Sequence, residues 1–140
     1  MLPGMIAHCP QVVHVAAATQ ASTYAVVTLT SCATRVAGPW RARVGRSGLS
    51  AHHREGDGTT PLGTYRIGPV VYGLDPDPGV HFRYHRLTCG DWWDEHSSSP
   101  TYNEFRHVAC GTPPPFRGSS EALWRASVAY RLFAVLEFNA

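Results

Sequence analysis

QVVHVAAATQASTYAVVTLT (Gln11–Thr30) sets the fold class. Its two ends, residues 11–15 (QVVHV) and 25–30 (AVVTLT), are rich in β-branched side chains that suit a pleated, half-buried surface. Between them lies a stretch of Ala, Thr, Gln and Ser, so residues 9–32 are expected to form an N-terminal β-hairpin with a longer loop. Symmetric pairing puts Val13 opposite Thr28, and the same register puts Cys9 opposite Cys32. Cysteines facing each other at the open end of a hairpin close a disulfide if their Cβ atoms approach; the alternative is two half-buried thiols.

Beyond the hairpin, short strands continue. Trp40–Val44 (WRARV) alternates apolar and basic residues like a one-sided strand after the Gly38-Pro39 break. A loop opens at Gly45 and runs to Gly63. Thr64–Ile67 and Val70–Tyr72 read as strands around Gly68-Pro69, and Leu74–Gly79 (LDPDPG) as a turn, because Asp bonds its own backbone and Pro fixes φ. Val80–Leu87 alternates, with Val80, Phe82, Tyr84 and Arg86 on one face. Residues 88–118 read mostly as loop. Ser119–Ala126 (SSEALWRA) is expected to be the one short helix, with a serine cap ahead of Glu121 at the positive end of the dipole. The two faces of Tyr130–Phe138 (YRLFAVLEF) differ little in polarity, which predicts a central strand covered on both sides.

Composition agrees with a mainly β class. The 140 residues suit a single domain, 1–140, and 11 Pro and 13 Gly leave little room for long helices. The formal charge is +2, and all twelve basic residues are arginines, dispersed except for Arg41, Arg43 and Arg46. No nucleic-acid partner is expected, since such binders concentrate positive charge on one face. No window approaches the ~20 apolar residues of a membrane span. The N-terminus, MLPGMIAHCPQ, lacks a basic segment followed by an apolar run, so no signal peptide is expected. The even count of four cysteines, Cys9, Cys32, Cys89 and Cys110, points instead to an oxidising compartment.

GPWRARVGRSGLSAHHREGDGTTPLGTYRI (Gly38–Ile67) is followed, in order, by Asp75–Leu87, Trp92–Phe105, SEALW and YRLFAVLEFN. These blocks resemble the L,D-transpeptidase (YkuD-type) catalytic domain family, in the variety common in actinobacteria, over residues 38–139. The resemblance implies an L,D-transpeptidase-like β-sandwich or barrel, residence in the cell envelope, and peptidoglycan peptide stems as partners. It implies acyl transfer between stems through a cysteine thioester, with no cofactor. The family carries its nucleophile in a Ser/Thr-x-Gly-Cys motif after a histidine-containing strand. Neither occurs in these 140 residues, so no catalytic residue is assigned. The resemblance then implies an incomplete domain, inactive alone, whose C-terminal catalytic segment is missing. Two alternatives stand beside it: a non-catalytic peptidoglycan-binding module, and a small disulfide-stabilised secreted β protein.

Read as residues alone, Gly56, Gly58 and Gly63 with Pro61 make a tight turn, and no phosphate-cradle motif is present. Trp92 and Trp93 are adjacent, so in a strand they face opposite ways. One of them is expected to reach a cleft near Tyr102 and Asn103, where aromatic faces beside amides suit a sugar or peptide. In the resembled domains this segment lies beside the substrate groove, which makes Trp93, Tyr102 and Asn103 the substrate-binding candidates. Asp91, Asp94, Glu95 and His96 match no metal-ligand spacing and read as a solvated acidic turn, so no metal is assigned. Cys89 and Cys110 flank this loop, and a disulfide closing it is the leading expectation. Cys89 and Cys110 do not match the nucleophile motif, and His52, His53 and His107 are candidate bases without a thiolate to serve.

Overall fold

The computed structural model describes residues 9–138. The N-terminal residues read above for a signal peptide, 1–8, and the end of the family resemblance, 139–140, lie outside the described residues. The described chain is mainly β: eleven strands in four small sheets, no α-helix, and a single 3₁₀ turn. It divides into two compact units, one ending at Gly63 and one beginning at Thr64. No helix among the described residues is long and apolar enough to cross a membrane.

The first unit is built on a three-stranded antiparallel sheet of β1 (Gln11–Ala16), β2 (Tyr24–Ser31) and β3 (Thr34–Arg43), in that order. Val13 pairs with Leu29 rather than with Thr28, so the register is one residue away from the symmetric expectation. The loop between β1 and β2, turned where the Ser22 amide donates to the Thr19 carbonyl at 3.1 Å, sets this register. Ser31 pairs with Thr34 across a two-residue hairpin whose central residues, Cys32 and Ala33, both have positive φ, 49° and 63°. A tight turn of this kind needs two such residues, and it takes Cys32 out of the ladder. Cys32 still bonds Cys9, with Cα atoms 5.0 Å apart. A one-residue shift exchanges the two faces of a strand. Val13, Val15, Val27, Leu29 and Trp40 share one face here, and Thr28 and Thr30 share the other with Arg41 and Arg43.

The glycine-rich loop that follows folds around Asp57. The Arg54 amide donates to its Oδ2 at 2.8 Å and the Thr59 amide to its Oδ1 at 2.7 Å. Two short strands, β4 (Leu49–Ser50) and β5 (Thr60–Pro61), pair in parallel beside it. Gly56 and Gly58 take φ of 78° and 73°, values that favour glycine. Bonds from the Thr59 amide, the Arg54 amide and the Thr59 hydroxyl hold the Asp57 carboxyl down at about 2.

The second unit holds two three-stranded sheets. One has the order β11-β6-β7, from β6 (Ile67–Gly73), β7 (Arg83–Arg86) and β11 (Phe133–Leu136). The other has the order β10-β8-β9, from β8 (Asp91–Asp94), β9 (Phe105–His107) and β10 (Ser120–Ala122). Three expectations are corrected here. The final strand is an edge, with Phe133 and Val135 half-buried and Ala134 and Leu136 exposed; β6 is the central strand, running unbroken through Gly68-Pro69. The helix expected over Ser119–Ala126 is absent. Ser120–Ala122 instead pairs with Asp94–Trp92 of β8, and only Leu123–Arg125 coils into the 3₁₀ turn. Strand pairing here overrides a weak local helix preference, and it places Leu123 at 1% exposure, among the most buried side chains. Finally, Asp91 and Asp94 lie buried inside β8 rather than in a solvated turn, while residues 88–118 outside β8 and β9 are loop as expected.

Candidate functional site

The site takes shape from the two aspartates that bracket Trp92-Trp93. Both are fully buried, at 0% exposure, a costly place for a carboxylate unless hydrogen bonds surround it. Asp94 organises the segment between β8 and β9. Its Oδ1 accepts the His96 amide at 2.9 Å, its Oδ2 accepts the Thr101 hydroxyl at 2.7 Å, and its backbone carbonyl accepts the Asn103 amide at 2.9 Å. Burial pushes the Asp94 carboxyl up, but bonds from the Ser99 and Thr101 hydroxyls and the His96 amide outweigh it and hold the group below its ordinary value. Asn103 is thereby set at φ 61°, a left-handed conformation that asparagine tolerates better than most residues.

Asp91 joins three strands and the turn ahead of β8. Its Oδ1 accepts from His107 Nδ1 of β9 at 2.6 Å, and its Oδ2 from His85 Nε2 of β7 at 3.0 Å and from the Thr88 amide at 2.7 Å. Burial raises this carboxyl too; the Thr88 amide and both imidazoles together bring it below the usual value. An ionised carboxylate only accepts hydrogen bonds, which fixes the proton on Nε2 of His85 and Nδ1 of His107. His107, a candidate base on sequence grounds, is thus an anchoring partner of Asp91. His53, another, bonds the Thr59 hydroxyl at 2.9 Å in the first unit.

Cross-strand register carries this clamp into a groove. Asp91 lies opposite His107 and Trp93 opposite Phe105, so the clamp and the two aromatic residues share one face of the β10-β8-β9 sheet. On the other sheet Tyr72 lies opposite both Phe133 and His85. The Tyr72 ring stacks on Phe133 at 5.1 Å between centroids and meets Phe105 at 5.0 Å, while the His85 ring sits edge-on to Phe105 at 4.9 Å. Edge and tilted contacts of this sort suit the aromatic quadrupole. The same His85 that bonds Asp91 therefore braces the aromatic row joining the two sheets.

The groove between the sheets has a volume of about 400 Å³, within the range of small-molecule and peptide sites. Gly68, Pro69 and Val70 of β6 with Val135 of β11 form one side, and Tyr72, Trp93 and Phe105 supply aromatic walls. Asn103, Glu104 and Glu137 add the polar groups. Trp93 Nε1 donates to Asn103 Oδ1 at 3.4 Å, a long bond that couples these two lining residues. Trp92 turns to the other face, edge-on to Trp124 at 5.0 Å, with its indole N–H buried without an acceptor.

Of the three residues singled out in the sequence, Trp93 and Asn103 meet on this groove, and Tyr102 does not line it. The residues that sequence reasoning missed are Tyr72, Phe105, Glu104 and Glu137 on the groove, and Asp91 with its two histidines behind it. The turn Thr88–Asp91 carried a usable signal: the Asp91 amide donates to the Thr88 carbonyl while the Asp91 carboxylate accepts the Thr88 amide. Nothing local marks Glu137, which reaches the groove only through sheet pairing.

All four cysteines are oxidised. Cys9 is bonded to Cys32 and Cys89 to Cys110, the latter with Cα atoms 5.0 Å apart, and no cysteine is free. The second bridge closes the segment holding β8 and β9. Disulfides persist in oxidising compartments, and two of them in a chain of this size fit an extracytoplasmic setting. Among the described residues no group of three or more His, Cys, Asp or Glu side chains is arranged to hold a metal ion. The chain matches no family model, and comparison with curated proteins and with solved structures yields no match.

Proposed function

We propose that the groove of the second unit binds the peptide stem of peptidoglycan, as the recognition part of an L,D-transpeptidase-like β-sandwich in the cell envelope. The observation that carries this reading is the meeting of Trp93 and Asn103, both singled out beside the family's substrate groove, on a single groove with aromatic walls. Acyl transfer through a thioester requires a thiolate, and every sulfur of the four cysteines is tied up in a disulfide. On this reading the chain as given binds the stem and has no free thiol to carry the acyl group.

The test is co-sedimentation of the disulfide-intact chain with purified cell wall, with Trp93→Ala in parallel. Retention by the wild type and a loss of about tenfold in the variant supports the reading, the size expected when an aromatic anchor is cut from a groove. Equal retention removes it. A second reading, a secreted β protein acting through surface contacts, draws on the exposed Val13, Val15 and Trp40 of the first unit. That reading expects binding partners insensitive to Trp93→Ala.

A further inference from the structure

Charge is divided unevenly along the chain. Residues 1–54 hold five of the twelve arginines and no Asp or Glu; all ten acidic residues lie from Glu55 onward. Three of those arginines, Arg35, Arg41 and Arg43, stand exposed on β3. Arg35 lies opposite Thr30, Arg41 opposite Val26 and Arg43 opposite Tyr24, so all three share the face of the β1–β2–β3 sheet that carries Thr28. The Arg43 guanidinium sits 4.0 Å from the centre of the Tyr24 ring, and that of Arg41 lies 5.9 Å from it. A guanidinium held against a ring keeps the N–H donors along its edge free for an anion. None of the three has a carboxylate partner among the described residues. Like charges set side by side without a counter-ion repel, and an anion between them relieves that repulsion.

We propose that this face binds a linear phosphodiester polymer of the polyol-phosphate class, laid over Arg41 and Arg43 and on toward Arg35. Alternate residues of a strand stand about 6.6–6.8 Å apart, so Arg41 and Arg43 present successive charges to a repeating backbone anion. Each guanidinium fork accommodates two phosphodiester oxygens. The face offers only a shallow cleft of about 150 Å³, lined by Tyr24, Arg41, Ala42 and Arg43. Such a surface suits a polymer whose charges lie in its backbone. Single-stranded nucleic acid would stack its bases on open aromatic faces, and the Tyr24 ring is already covered by Arg43. A lipid surface would take up apolar side chains beside the cations. Trp40, the largest exposed apolar side chain of this unit's described residues, stands instead on the opposite face. The site is independent of the groove and of the peptide-binding reading.

Calorimetric titration of the disulfide-intact full chain with synthetic poly(glycerol phosphate), repeated over a series of salt concentrations, tests the proposal. Three neutralised phosphates should make log affinity fall with log salt at a slope of about −2. Arg41→Gln combined with Arg43→Gln should weaken binding about tenfold at low salt and reduce the slope to about −0.7. Arg41→Lys with Arg43→Lys keeps both charges and loses both forks, so the slope should persist while affinity drops. This second pair keeps the test readable if neutralisation disturbs the sheet. No binding of the polymer, or binding indifferent to the glutamine pair, overturns the proposal. Tighter binding of oligothymidylate, or of phosphatidylglycerol vesicles, overturns the assignment to a polyol phosphate.

Discussion

The sheet β1–β2–β3 and the paired sheets around β6 and β8 hold together by different means. In the first, long ladders run with two irregularities between β2 and β3, yet β1 is exposed along its whole length and Ala25 is the one buried apolar side chain among its described residues. In the second, the strands are short, and what lies deepest is Leu123 with two carboxylates, Asp91 and Asp94. Backbone pairing and a bridged end organise one region; two buried carboxylates ringed by hydrogen-bond donors organise the other. A groove that must present aromatic and charged side chains from several elements needs the second kind of scaffold, because short strands alone would not fix their mutual positions.

Removing the clamp should break that contrast most severely. Asp91→Ala leaves the Thr88 amide and two imidazoles without their acceptor, and a cost of about 3–5 kcal/mol is expected. Hydrogen exchange should show protection lost across β7, β8 and β9 and kept in β1–β3. Uniform loss across both regions would contradict the separate organisation described here. Replacing Cys89 and Cys110 by serine opens the loop that carries β8 and β9, with a sequence separation of 21, and should cost about 3 kcal/mol by the chain-entropy relation. Thermal denaturation measures it, and an unchanged midpoint would show that the bridge constrains nothing.

Acid acts through the same carboxylates, more gradually. Asp57, Asp91 and Asp94 are all held below their ordinary values in the folded chain, Asp57 at about 2. In the unfolded chain such groups titrate near pH 3.9, so their contribution is fully present above that value. Below it the unfolded state binds more protons, and stability falls as the pH drops toward the folded values. A melting temperature that declines from about pH 4 toward pH 2 is expected; a flat profile over that window would show these bonds to be inconsequential. The smallest effect belongs to the first region. Ala33 holds φ 63° in the β2–β3 turn, and Ala33→Gly should stabilise by about 0.5–1 kcal/mol, read from the denaturant midpoint.

The legible parts of the fold are those where local chemistry and final environment agree. The β-branched runs around Val13 and Leu29 became strands, while the register between them is set by the loop over residues 17–23, whose turn geometry no residue type there announces. Ser119–Ala126 carried helix signals that lost to pairing with β8, a partner distant in sequence. Asp91 and Asp94 read as solvent-facing because an aspartate's burial depends on donors such as His85 and Thr101 that only the tertiary fold assembles. The same holds for the candidate site. Adjacent tryptophans must face opposite ways in a strand, which called for one of them at a cleft, and the resemblance pointed to Trp93; Tyr72, Glu104 and Glu137 became neighbours only through the stacking of two sheets.

The central claim, that this groove receives a peptide, is tested most directly by mapping amide and indole NMR shifts of the full chain during titration with a lysine-containing stem tetrapeptide. Saturable shifts confined to Gly68, Val70, the Trp93 indole, Asn103 and Phe105 are expected. Shifts centred on β1–β3, or none at saturating peptide, would contradict it.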